Sequence, residues 1–154
     1  MPMKIDHVDK TILSLLQSNA RMSNAELSEK VNLSPTPCLR RLRKLEENGL
    51  IRHYAAVLDQ KKLGFTVSAY VFVNLEKNTK ENGKTFETAI GLLPEVLECS
   101  VVAGRHDYVL KVVARNLEDY DRFMKESLAE VTPIADLESM IILNQGLDRG
   151  GLPL

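Results

Sequence analysis

Five basic side chains (Lys30, Arg40, Arg41, Arg43 and Lys44) and no acidic one fall between residues 30 and 45. Such local basic density is the electrostatic footprint that a nucleic-acid backbone requires, because each Lys or Arg that meets a phosphate releases a condensed counterion. Arginine adds a second capability: its planar fork can grip the guanine edge bidentately. Charge is distributed accordingly. Residues 1–60 carry nine Lys/Arg against seven Asp/Glu, and the remainder carries eleven against fourteen. A solvated helix face is the plain alternative for any basic run, so the elements around this one have to decide.

Other chemistry is thin. Cys38 and Cys99 lie far apart and make no CxxC pair, and His7, His53 and His106 are scattered, so no zinc-type spacing exists. His106 and Asp107 are adjacent; in an extended chain their side chains point to opposite faces, a poor acid–base couple. No Ser/His/Asp or P-loop pattern is present. The chain therefore reads as a non-enzyme with no metal and no cofactor. Both cysteines are expected to be buried packing residues. The apolar runs are shorter than the roughly 18 residues of a membrane span, and the Met1–Asp6 start has no apolar leader core, which places the protein in the cytoplasm.

The elements that must position the basic run are legible from caps. Asp6 starts a helix to about Asn19, with Val8, Ile12, Leu15 and Leu16 on one face. Ser23 and Glu26 form a capping box for a short helix carrying Leu27 and Val31. Asn32-Leu33 make a turn. Ser34 caps a third helix with Pro35 in its first turn, and Gly49 ends it. Three helices within about 45 residues, the last two joined by a short turn, make a helix-turn-helix. On the third helix Cys38, Leu42 and Leu45 face inward. Thr36, Arg40, Arg43 and Glu47 face out, flanked by Pro37, Arg41 and Lys44. Ser34 and free N–H groups at the helix start can also meet a phosphate. Candidate DNA contacts are thus Ser34, Thr36, Pro37, Arg40, Arg41, Arg43 and Lys44. Leu50–Asp59 is β-prone and reads as a short wing or linker strand, and residues 60–64 as a connector. The expected division is a DNA-binding domain over 1–60 and an α/β domain over 61–154.

In that second part, Thr66–Leu75 alternates as a strand, with Val67, Ala69, Val71, Val73 and Leu75 on one face. After a charged loop (76–83), a helix carries Phe86, Ala89, Ile90 and Leu93, stopped by Pro94. Strands at Val96–Ala103 and Tyr108–Ala114 flank the turn Gly104-Arg105-His106-Asp107. Asn116 caps a helix with Leu117, Tyr120, Met124, Leu128 and Val131 inward, and Asp136–Asn144 is the last strand. The order β-α-β-β-α-β is that of a ferredoxin-like sandwich, so the whole chain is α+β. Two helices cover one sheet face. Tyr70, Phe72, Val109 and Val113 leave the other face apolar, which predicts a homodimer.

With these residues in place, the chain resembles the Lrp/AsnC (feast/famine) family of transcriptional regulators over essentially its whole length. Residues 33–51 resemble the recognition-helix segment, Asp6–Leu16 the opening helix, Tyr54–Asp59 the linker strand, and Gly104-Arg105-His106-Asp107-Tyr108-Val109-Leu110 a G-x-x-D-[YF]-x-L signature. The Leu152-Pro153-Leu154 ending is similar too. The resemblance implies a winged helix-turn-helix regulator of double-stranded DNA, dimers that assemble to octamers, and an amino-acid effector held by the second domain near contacts between dimers. Carried over by position, Gly104, Asp107 and Tyr108 fall in the effector loop, with Asp136 and Ser139 on the last strand beside it. An aspartate can pair with an ammonium, and N–H groups near Gly104 can take a carboxylate. Gly104 and Asp107 also suit a plain strand-connecting turn. Two alternatives stay open: an amino-acid-binding module without DNA, and a DNA-binding regulator without an amino-acid effector.

Overall fold

The structure, a computed structural model, describes residues 4–148 and 150–154. The opening Met1–Met3 and Arg149 of the irregular tail lie outside the described residues. The chain divides into two compact units, Met1–Val57 with Leu147–Leu154, and Leu58–Gly146. The first unit thus stops just short of residue 60 and takes in the C-terminal tail. Gln17 holds that tail: its Nε2 donates to the Leu152 carbonyl at 3.2 Å, and its Oε1 accepts from the Leu152 N–H at 2.5 Å.

In the first unit, α1 spans His7–Ser18, α2 Asn24–Lys30 and α3 Pro35–Glu47. Two capping boxes start α1 and α2. Asp6 and Asp9 bond each other's backbone N–H at 2.9 and 3.1 Å. Ser23 and Glu26 do the same at 3.3 and 2.7 Å. One device ends both α2 and α3. Asn32 (φ 54°) and Gly49 (φ 71°) adopt the left-handed conformation. Around Asn32, the N–H groups of Asn32 and Leu33 bond the Glu29 and Ser28 carbonyls. Around Gly49, those of Gly49 and Leu50 bond Glu46 and Leu45. This is the Schellman arrangement, which satisfies the last carbonyls and turns the chain sharply. Ile12, Leu13, Leu16, Leu27, Cys38 and Leu45 form the core. The expected strand at Leu50–Asp59 does not form: residues 52–59 make no ladder and are exposed. Their β-prone side chains have no neighbouring strand to pair with, and propensity alone does not make a strand.

In the second unit, β1 is Val67–Leu75, α4 Lys80–Ile90, β2 Val96–Val101, β3 Tyr108–Ala114, α5 Leu117–Arg122 and β4 Ile134–Ile141. α5 continues as a π-helical stretch, Phe123–Leu128. The sheet order is β2-β3-β1-β4, and every pairing is antiparallel. That is the ferredoxin-like order the pattern implied. Val67, Ala69, Val71, Val73 and Leu75 pack with Leu110 and Val112 under Phe86, Ile90, Tyr120, Phe123 and Leu128. α4 begins earlier than its apolar stripe suggests, because Thr79 accepts from the Asn82 N–H and caps it within the charged loop. Leu117, expected inside, is 61% exposed in the first turn of α5, and Phe123 takes a buried place instead. β2 and β4 are each shorter than expected, ending at Val101 and Ile141.

Candidate functional site

α3 presents its polar face to solvent: Ser34, Thr36, Arg40, Arg43, Lys44 and Glu47 are exposed, and Pro37 and Arg41 are half-buried. Ser34 occupies the cap position without a side-chain cap bond, so its hydroxyl is available outward. The helix start offers less backbone than an ordinary one. Pro35 and Pro37 have no N–H, and the Cys38 N–H bonds the Ser34 carbonyl at 3.3 Å. Among the described residues, the Thr36 N–H of this first turn has no partner and stays open for a phosphate. α2 sets the approach of α3 through Asn24, whose Nδ2 donates to the Pro35 carbonyl at 2.9 Å. Arg41 turns the other way. Its Nη1 donates to Asp6 and Asp9 of the α1 capping box, both at 2.7 Å. These bonds, Asp9 first, raise the arginine pKa further. The Asp9 N–H and Arg41 hold the Asp6 carboxyl below its ordinary 3.8. Arg41 therefore clamps α3 to the head of α1 and, among the described residues, is the one basic residue of α3 that bonds another side chain.

In the second unit, the turn between β2 and β3 brings Gly104, Asp107 and Tyr108 together. Gly104 has a φ of 158° and open space around it. The Asp107 carboxylate is spoken for: Oδ2 accepts from the Leu75 N–H at 2.9 Å and Oδ1 from Asn78 Nδ2 at 2.6 Å. It ties the end of β1 and the following loop to the turn. Tyr108 is buried on the helix face, packed on Phe86 with ring centroids 4.7 Å apart, and its hydroxyl donates to Glu87 Oε1 at 3.0 Å. Burial and that bond push its pKa to about 12. The phenol fits because residue 83 is glycine; a Cβ there would lie 2.7 Å from the Tyr108 oxygen. Asp136 pairs with Asn74, and Ser139 with Val71. Asn74 and Val71 point to opposite sheet faces. So Asp136 lies on the uncovered face, in one row with Asn74, and Ser139 lies on the helix face. The five residues do not converge on a single cavity in one chain. Among the described residues no group of three or more His, Cys, Asp or Glu side chains could hold a metal ion, and no helix is long and apolar enough to cross a membrane.

Residues 5–52 match the winged helix-turn-helix DNA-binding model, and residues 68–152 match the Lrp/AsnC ligand binding domain. The chain belongs to the Lrp/AsnC family. It is a DNA-binding transcriptional regulator with a ligand-binding domain. Among curated relatives, the transcriptional regulator AzlB of Bacillus subtilis is 38% identical over 144 residues, covering 94% of this chain and 92% of that one. The leucine-responsive regulatory protein of Escherichia coli is 35% identical, covering 92% and 86%. Among solved structures, a transcriptional regulator of Neisseria meningitidis in complex with L-methionine superposes with a TM-score of 0.93 at 34% identity, covering 97% of each chain. An AsnC family regulator of Agrobacterium tumefaciens gives 0.90 at 36% identity, again covering 97% of each.

Within this Lrp/AsnC chain, the recognition helix carries its candidate DNA residues on one exposed face, with Arg41 apart from them. Several contributors carry no local signal. The partners of Arg41, Asp6 and Asp9, stand more than thirty positions away. Asn24 and Asn78 are ordinary loop-and-cap residues in sequence. Gly83 sits in a helix interior, where glycine costs about 1 kcal/mol relative to alanine, and only the approach of Tyr108 explains it. Cys99 corrects an expectation: it is exposed, because β2 is an edge strand and the helices leave this part of its inner face open.

Proposed function

We propose that this regulator reads an operator through α3 and that a small amino acid bound in the second unit controls its assembly. Arg40 and Arg43 read base edges in the major groove; Ser34, Thr36, Pro37 and Lys44 lie against the DNA backbone. Arg41 holds the helix rather than the DNA. The observation that carries this reading is the acid-free run Thr36–Lys44, on which Arg41 is drawn toward α1 while Thr36, Arg40, Arg43 and Lys44 stay exposed. A homodimer supplies two such helices to a twofold site, spaced about 10 base pairs or a multiple of that. Octamers of these dimers are the assembly that the effector tunes, which requires the ligand to bind one state better than another. The amino-acid class is supported by the ligand-binding family model and by the methionine complex of the Neisseria relative. Gly104 with its turn and Asp136 on the uncovered face are the proposed half-site for it, completed by a neighbouring subunit. Asp107 positions that turn, Tyr108 backs it, and Ser139, on the other face, is the weakest member of the set. The chain acts as a regulator and not as an enzyme, in the cytoplasm, without a metal or cofactor.

The test is the light-scattering mass of the full chain, and its affinity for genomic fragments selected by the protein itself, with and without each common amino acid. A shift of mass or affinity with a few related amino acids is expected. No response to any of them would remove the effector part of the proposal and leave DNA binding standing.

A further inference from the structure

The tail Leu147–Leu154 belongs to the first unit, although the strand that precedes it, β4, belongs to the second. The chain therefore crosses between the units twice, after Val57 and after Gly146. The first crossing leaves a loose segment: residues 52–59 join no ladder and are exposed. The second crossing is held on both sides. The Ile142 N–H bonds the Ser68 carbonyl of β1 at 2.8 Å, and Leu152 is held by Gln17 of α1.

The sequence around Leu152 suits this anchor. Leu152 precedes Pro153, and a residue before proline is driven to the extended conformation. An extended residue turns its own N–H and C=O to the same side, ready to exchange both bonds with one partner. The Gln17 amide carries a donor and an acceptor in one plane. A single side chain thus closes both bonds, as a neighbouring strand would. Pro153 has no N–H to satisfy. Leu152 and Leu154 border a hollow of about 420 Å³ whose walls include Leu13, Leu16, Leu50 and Ile51. Leu152 stays 74% exposed, so its apolar contact is shallow and the amide pair is the main hold. No residue of α3 borders this hollow among the described residues, so the docked tail leaves the candidate DNA face clear.

A body attached through one loose segment turns freely, and a second attachment on another element restricts it. We propose that Gln17, by anchoring Leu152, sets the separation at which the two recognition helices of a dimer reach DNA, and so determines which half-site spacing the regulator accepts. Gln17 is a positioning residue that acts through the tail and touches neither base nor phosphate. The proposal rests on the reading that two copies of α3 engage one operator.

The experiment compares the full chain as wild type, Gln17→Ala and Gln17→Glu. Gln17 is exposed, so both changes spare the core. The glutamate keeps an acceptor for the Leu152 N–H but sets a carboxylate against its carbonyl, so it releases the tail without shortening the side chain. Hydrogen exchange of the tail amides is followed, with affinity for one half-site. Affinity is also measured for an operator selected by the protein itself, at its native spacing and with two base pairs inserted, which breaks the match to the helical repeat of about 10 base pairs. Expected in both variants are faster tail exchange, an unchanged affinity for one half-site, and a penalty for the insertion about tenfold smaller than in wild type, part of the roughly 10²–10⁴ that tethered engagement adds. Faster tail exchange with the full insertion penalty overturns the proposal and leaves the paired helices standing. Unchanged tail exchange in both variants overturns Gln17 as the anchor. A wild type indifferent to the insertion overturns the proposal and the paired helices together. Tail protection that falls on dilution, in step with the light-scattering mass, means that a second copy holds the tail, and also overturns the proposal.

Discussion

Arg41 and its neighbours show how far a single residue type can mislead. In sequence Arg40, Arg41, Arg43 and Lys44 are all candidate DNA contacts, since what sets Arg41 apart is its bonds to Asp6 and Asp9, which only folding brings near. Asp9 is 7% exposed at its side chain and Asp6 51%, while Arg41 is 33% exposed. The pair is thus half in water, and its worth must be discounted accordingly. Arg41→Ala is expected to cost about 1–2 kcal/mol of stability, mostly from leaving Asp9 without its cation. Arg40→Ala and Arg43→Ala are expected to leave the melting temperature unchanged and each to weaken specific DNA binding by about 1–3 kcal/mol. Thermal melts run beside fluorescence anisotropy on one operator separate the two classes. A melting temperature unchanged in Arg41→Ala, with DNA binding lost, would return that residue to the DNA contact list. Asp107 teaches the same lesson: its type suits an ammonium, but its oxygens are bonded to Leu75 and Asn78.

Whole elements were legible where their signals are local. Caps lie within four residues of the helices they start, so Asp6, Ser23 and Asn116 fix the starts of α1, α2 and α5 by side-chain bonds, Pro35 in the first turn marks that of α3, and Asn32 and Gly49 mark the stops of α2 and α3. Strand alternation placed β1 and β3 correctly for the same reason. The linker 52–59 was misread because a strand needs a partner that a single sequence does not display. The caps also set an acid limit. The Asp9 N–H and Arg41 lower the Asp6 pKa from 3.8, and hydrogen bonds from Ser23 lower that of Glu26 from 4.5. A carboxyl lowered in the folded state stabilises above its unfolded value, and that stabilisation disappears as pH falls through the folded value. On acidification below the ordinary carboxylate range, α1 and α2 are therefore expected to lose hydrogen-exchange protection before the sheet does. Simultaneous loss in both units would show that these caps do not limit acid stability. At the other extreme, Tyr54, bonded to Glu46 at 2.8 Å, has its pKa raised to about 12 by partial desolvation of a side chain that stays about half exposed and by that carboxylate. The stabilisation it gives is complete below the ordinary 10 and declines as pH rises toward 12.

At the scale of the molecule, the uncovered sheet face of the second unit is the surface best suited to a partner. Tyr70 and Met140 are register neighbours at its middle, 43% and 51% exposed. Phe72 and Val109 adjoin them, half-buried. Polar pairs edge the patch: the Lys111–Glu98 salt bridge, and a contact of 3.4 Å between His106 Nε2 and Glu138 beside Phe72. An apolar patch rimmed by paired polar groups is the pattern of an interface rather than of a solvated sheet. The alternation that exposed this face was already visible in sequence, whereas the rim was not, since Lys111 and Glu98 stand on different strands and His106 of the β2–β3 turn meets Glu138 of β4. Charge placed at the centre should repel itself across a twofold axis, because each residue there meets its own region in the partner. Tyr70→Lys with Met140→Lys is therefore expected to give a monomer by light scattering while the helix-face core, untouched by either change, keeps the unit folded. Its DNA affinity should fall about 10²–10⁴-fold, since the second recognition helix no longer arrives tethered to the first. A double variant that stayed dimeric and bound its operator normally would place the dimer contact elsewhere and leave this apolar face without a partner.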